Sequence, residues 1–172
     1  MITIGKKIIY KICFKTLQDN YLVWLQYKIL NRILGVKKLL YGMRISQDDN
    51  CRLCNDEKET IIHLFCRCPI VQSLWENLSN WILNKLEIRI DIDNPTQILG
   101  CFQMNFNHIP LNSLILVTKS YIFWCAKKSR NPDIFGLQKR IKQMYYEQKA
   151  IASKNFTQDK FQKQWNHWAS LF

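Results

Sequence analysis

Between residues 51 and 68 the chain reads CRLCNDEKETIIHLFCRC, and no other stretch restricts the fold as tightly. Four cysteines and one histidine fall within it. The spacing is Cys51-x2-Cys54, then His63, then Cys68. A CxxC pair lets two thiolates grip one ion from a tight turn, and a His and a Cys from a following short helix complete a tetrahedron. Four nitrogen and sulfur ligands with no open position describe structural zinc. Soft thiolates with one imidazole favour Zn²⁺ over harder cations. His63 and Cys68 are five apart, which does not align them on one helical face. Pro69 follows, however, and pushes Cys68 out of α geometry, leaving it free to turn toward a metal. Cys66 lies three residues after His63 on the same helical face, so spacing alone leaves it open as the fourth ligand. A redox pair or four inert thiols are the rival readings. A thioredoxin-like CxxC would follow a strand and open a helix, whereas this one sits in an acidic, polar turn.

The rest of the chain supplies a partner class. The net charge is +12 over 172 residues. Residues 1–50 carry nine Lys/Arg against three Asp/Glu, and residues 101–172 carry eleven against three. The centre, 51–100, carries five against seven. Two basic segments flanking an acidic cysteine-rich centre favour a polyanion, either nucleic acid or an anionic surface. The opening MITIGKKIIYKICFKTLQ is broken by lysines, unlike a signal peptide. No uninterrupted apolar run reaches the roughly 18 residues of a membrane span, so no span is expected; of the two polyanions, nucleic acid is the expected partner and a membrane is not. Seven cysteines, an odd number, fit a disulfide framework poorly. Reduced thiols point to an intracellular protein, cytoplasmic or nuclear.

The apolar periodicity predicts a mainly α fold, a helical domain with an inserted CCHC zinc-binding turn. Leu22, Leu25, Ile29 and Ile33 share a face of a helix over 21–34, widened by Trp24, Tyr27 and Leu30 and stopped by Gly35. VKKLLYG gives a short apolar piece ending at Gly42. A brief helix is expected from about Thr60 to Arg67. Pro69 suits the first position of a longer helix with Ile70, Leu74, Leu78, Trp81 and Ile82 on its apolar face. EIRIDID, 87–93, alternates as extended linker or edge strand. LNSLILVTKSYIFWCAKKS reads as a buried helix. The next helix places Ile134, Leu137, Ile141, Met144 and Ile151 on one side. Phe161, Trp165, Trp168 and Phe172 form a last helical stripe. The segments divide as 1–45, 46–86, 87–110 and 111–172, within one compact domain. The first helix is expected to pack on the one that starts at Pro69, with Trp75 between them.

CRLCNDEKETIIHLFCRCPIVQSLWENL also resembles the zinc-binding domain that follows the reverse transcriptase in LINE-type (non-LTR) retrotransposon polyproteins. The matching features are Cys51, Cys54, Glu59-Thr60, His63-Leu64-Phe65, Cys68-Pro69 and Trp75, with LQYKILNRIL and LLYGMRISQDDNC as a similar lead-in. The resemblance implies Cys51, Cys54, His63 and Cys68 as Zn²⁺ ligands, with Cys66 a bystander. It implies binding of element RNA, and possibly DNA, beside a reverse transcriptase in cis or in trans. It does not imply catalysis.

On this reading Lys/Arg groups contact phosphates. The candidates are Lys37, Lys38 and Arg44 before the cluster, Arg52 and Arg67 within it, and Lys127, Lys128, Arg130, Lys139, Arg140 and Lys142 after it. Tyr41, Tyr145 and Tyr146 are candidates to stack on unpaired bases. No polymerase carboxylate motif is present and no small-molecule substrate is expected. Pro132-Asp133 with Glu147-x-Lys149 spells the PD…ExK of metal-dependent nucleases. Those residues lie in a helical pattern, where positions two apart diverge. A non-enzymatic module that only braces a polymerase is the other alternative.

Overall fold

The computed structural model describes residues 19–90, 95–100 and 109–172. The basic opening segment and Asp91 to Asp93 of the alternating stretch lie outside them. The described residues form helices and turns, with no strand among them. The elements are α1 (Asn20–Leu30), α2 (Lys37–Gly42), a π turn (His63–Arg67), α3 (Pro69–Leu86), α4 (Pro95–Leu99), α5 (Ile109–Lys127), α6 (Ile134–Lys154), α7 (Gln158–Trp165) and a 3₁₀ segment (Asn166–Leu171).

α5 is the central helix. Every residue from Pro110 to Phe123 is buried. Its polar members are absorbed locally: Ser113 and Thr118 donate to the carbonyls of Ile109 and Leu114, at 2.8 and 2.7 Å, the back-bonding that hydroxyls adopt inside helices. Lys119 is fully buried and donates to Gln26 Oε1. These polar residues interrupt the apolar run, which is why the sequence alone shows no span-like stretch. Taken as a whole, α5 is long and apolar enough to cross a membrane, and 89% of its most apolar stretch is buried inside the fold. It is covered by α1, α6, α7 and the π turn.

α1 begins at Asp19, whose Oδ1 accepts from the Tyr21 and Leu22 amides at 2.7 and 3.4 Å, the usual N-cap arrangement. It ends earlier than its apolar pattern predicts. Arg32 takes a left-handed φ of 58°. The Ile33 amide donates to Lys28 O and the Arg32 amide to Ile29 O, which is a Schellman stop. Gly35 is therefore not the terminator. Beyond the stop, Leu34 and Val36 are buried while Ile33 is 51% exposed. Trp24, expected to widen the buried face, is 58% exposed. α1 packs chiefly on α5, not on α3 as expected. Gln26 explains the choice: fully buried, it bonds Lys119 of α5 and donates to Leu99 O of α4 at 2.7 Å.

α3 starts at Pro69, as read from the sequence. Its buried face is Val71, Leu74, Trp75, Leu78, Ile82 and Leu86, rotated from the expected stripe so that Ile70 and Trp81 are only half-buried. The rotation follows from what α3 packs against, namely the π turn on one side and the 3₁₀ segment on the other. Trp75 accordingly lies against the π turn, donating Nε1–H to Phe65 O at 2.8 Å. The C-terminal stripe is core, with Phe161, Trp165, Trp168 and Leu171 buried. Tyr145 joins it, stacked 4.1 Å from Phe172, so it is no base platform. Tyr41 and Tyr146 remain about half exposed, at 52% and 48%.

Candidate metal centre

The metal centre is built on a tight hairpin followed by a single π turn. Asn50 and Lys58 pair as an isolated antiparallel bridge. The Cys51 amide donates to Glu57 O at 2.8 Å and the Glu59 amide to Asp49 O at 2.8 Å. Asn55 takes the left-handed conformation at the tip, φ 58°, one of the few non-glycine residues that adopts it readily. The reversal places the Cys51 and Cys54 side chains together. The backbone amides of Cys54 and Leu53 favour the Cys51 thiolate.

The π turn solves the problem of the five-residue spacing. The Cys68 amide donates to His63 O at 2.7 Å, an i to i+5 bond. A π turn holds more residues than an α turn, so residues five apart come together. Cys68 is extended, with φ −63° and ψ 124°, as a residue before proline must be. At the other end, the His63 amide is capped by Thr60 Oγ1 at 2.9 Å.

The ligand atoms of Cys51, Cys54, His63 and Cys68 all lie within 4.8 Å of one another. Cys51 Sγ is 3.9 Å from Cys68 Sγ, and Cys54 Sγ is 3.3 Å from His63 Nε2. Zinc bonds of about 2.3 Å to sulfur and 2.0–2.1 Å to nitrogen give tetrahedral edges of about 3.8 and 3.5 Å. The donor set therefore fits the ion in both chemistry and size. Three of the residues are buried and Cys54 is half-buried, so no broad face is open to solvent. Without an ion between them, the Cys51 and Cys68 sulfurs lie within hydrogen-bond reach. The hydrogen bond from Cys68 draws the Cys51 thiol down to about 4, while the same bond pushes Cys68 upward. Cys66 is not in the cluster. Burial pushes its thiol up to about 11, the behaviour of an inert core thiol.

Two carboxylates hold the centre: Glu57, which sequence reasoning passed over, and Glu59, which it named only as part of the family likeness. Glu57 Oε2 lies 3.1 Å from His63 Nδ1, leaving Nε2 for the metal, the outer-shell arrangement that orients metal-binding imidazoles. Glu59 is fully buried. Its two oxygens accept from the Lys37 and Arg52 amides, each at 2.9 Å. Glu57→Gln is expected to lower zinc affinity about tenfold, the mild end of such effects because Glu57 is exposed. Competition against a chromophoric chelator measures it, and unchanged affinity would remove Glu57 from the site.

The cationic candidates separate by environment. Arg52 is held inside the hairpin, 3.4 Å from Glu59 and donating to Gly35 O at 3.1 Å. It is a clamp rather than a phosphate contact, because its charge is already matched. Lys37 pairs with Asp48 at 2.6 Å. Lys38, Arg44 and Arg67 are exposed around the hairpin. Lys127, Lys128, Arg130, Lys139 and Lys142 are exposed on the far end of α5 and on α6, with Arg140 half-buried among them. Asp133 of the PD…ExK spelling caps α6 through Gly136 N at 2.8 Å. Glu147 and Lys149 lie within α6, where their side chains diverge.

Among known proteins, no curated protein and no solved structure is detectably similar to this chain. The hairpin and its lead-in do have a counterpart, a family described as zinc-binding in reverse transcriptase, which matches residues 4–75. That match ends at Trp75 and takes in all four clustered ligands, so this part of the chain is similar to that family, and its Cys51, Cys54, His63 and Cys68 cluster supports zinc binding.

Proposed function

We propose that the chain binds single-stranded or structured RNA, and DNA as well, as a non-catalytic module working beside a LINE-type reverse transcriptase in the cell interior. The observation that carries this reading is the set of exposed cations at one end of the fold. Lys127, Lys128, Arg130, Lys139 and Lys142 are all exposed there. Among the described residues none of them meets a carboxylate within ion-pair distance, whereas the pairs found lie around the zinc hairpin. Zinc fixes the hairpin and presents its neighbours; the cations supply the attraction. Such binding releases counterions, so affinity for RNA should fall steeply between about 50 and 200 mM salt. Reversing Lys127, Lys128 and Arg130 to Glu should weaken binding more than replacing Cys54, as read by fluorescence anisotropy. Flat salt dependence with unchanged affinity after that reversal would overturn the reading.

A second reading rests on a different surface. Ile33, Tyr41, Met43 and Ile45 are each more than half exposed on the segment that leads into the zinc hairpin. Apolar groups gathered in this way suit a protein neighbour. A bracing contact with the polymerase would use this face and leave the cations free.

A further inference from the structure

The exposed cations do not form an even field. Arg130, Lys139 and Arg140 converge on one concavity of about 490 Å³ between the end of α5 and the start of α6. That volume falls within the roughly 300–1,000 Å³ range of ligand sites. Its floor is aromatic. The Arg140 guanidinium lies 4.6 Å over the Trp124 ring and 5.3 Å from that of Tyr121. The two rings are near-parallel, 6.4 Å apart.

The floor is also held in place. Tyr121 donates its hydroxyl to Asp133 Oδ2 at 3.0 Å, and Asp133 Oδ1 accepts the Gly136 amide at 2.8 Å. A Cβ on Gly136 would come within 2.2 Å of the Tyr121 oxygen, so only glycine permits this closure. The one carboxylate in the concavity is thus occupied with structure, and the first turn of α6 is already capped. An anion entering here meets side-chain cations rather than a helix terminus.

We propose that this notch seats one unpaired nucleotide of a single-stranded RNA, deepening the nucleic-acid reading above and resting on it. Arg130 and Lys139 on the rim take the phosphates. Arg140, laid on Trp124, offers its edge to a phosphate and its plane to the base. A planar cation on an aromatic ring is a stacking surface that a duplex, with its bases inside, does not use. Lys127, Lys128 and Lys142 lie outside the lining and contribute only general attraction. Arg140 is a poor residue to replace by lysine, because the ammonium has no plane to stack.

The test compares short oligo(U) with an RNA duplex of equal length, by fluorescence anisotropy on the full zinc-loaded chain. Arg130→Ala with Lys139→Ala should weaken oligo(U) binding at least about tenfold and flatten the salt slope by about 1.4, two single-strand phosphate contacts. Lys160→Ala with Lys163→Ala, the same charge loss on α7, should cost less than about threefold. Arg140→Lys should keep duplex affinity and lose the preference for oligo(U). Equal losses in the two double variants would overturn the notch and leave diffuse phosphate binding standing. An Arg140→Lys protein that still prefers oligo(U) would remove base stacking from the proposal. Absence of RNA binding by the unaltered chain at low salt would remove both the notch and the broader reading.

Discussion

Replacing Cys51 or Cys68 with serine takes bound zinc from about one ion per chain to near zero. Cys66→Ser leaves it in place. The contrast follows from geometry: Cys68 Sγ is 3.9 Å from Cys51 Sγ, while Cys66 sits in the core, outside the cluster. The hairpin has few apolar residues of its own, with Asn55, Asp56, Glu57 and Lys58 all exposed. Structural zinc in small modules contributes an apparent 10–16 kcal/mol or about that, so its loss should melt this segment locally. Helical circular dichroism should change little, because α1, α6 and α7 pack on α5 without the metal and only the π turn links that core to the ligands. Hydrogen exchange should show lost protection confined to roughly the hairpin and π turn. Zinc retained in Cys68→Ser and lost in Cys66→Ser would exchange the roles of the two cysteines.

Glu59→Ala should destabilise the zinc-loaded protein by about 3–5 kcal/mol. Its carboxylate has no solvent exposure, and it receives two backbone amides together with Arg52. Removing it strands the Arg52 charge, whose side chain is only 13% exposed, and leaves the Lys37 and Arg52 amides without their acceptor. Glu59→Gln keeps one carbonyl oxygen and should lose less. Urea unfolding at constant zinc measures both. A loss below about 1 kcal/mol for Glu59→Ala would mean that the remaining bonds, Lys38 N–H to Glu59 O and Lys37 to Asp48, hold the hairpin to α2 without the carboxylate.

The zinc ligands were legible because metal chemistry names residue types and spacings, and the structure gathers those that the resemblance implied. Pro69 marked the start of α3 for an equally local reason, its fixed φ and missing amide hydrogen. What was not legible depended on partners. The apolar pattern of α1 runs on to Leu34, and nothing in it foretells a left-handed Arg32. The stripe of α3 was misplaced because the helix packs on the π turn and the 3₁₀ segment, neither of which periodicity reveals, and its buried face takes in Val71, Trp75 and Leu86. The π turn itself has no sequence signature apart from the proline after it. Glu59 stood out only through the family likeness; nothing in its polar stretch foretells its burial, which comes from where the hairpin folds back. Arg52 looked like a phosphate contact for the same reason. The pairing of α1 with α5 turned on Gln26 and Lys119, 93 residues apart.

The seating of the 3₁₀ segment on α3 has a consequence for the chain as it is made. Residues 166–171 follow the end of α3 by 80 positions, a delay of about 4–16 s at ordinary rates of synthesis. The zinc ligands, complete by Cys68, leave the ribosome first and can take up metal early. During the interval α3 lacks the cover of the 3₁₀ segment, and a nascent chain with an uncovered apolar helix is a substrate for chaperones or for its neighbours on the same message. Zinc taken up at that stage would anchor the exposed helix at its first turn, so that metal supply governs the yield of folded protein as well as its stability.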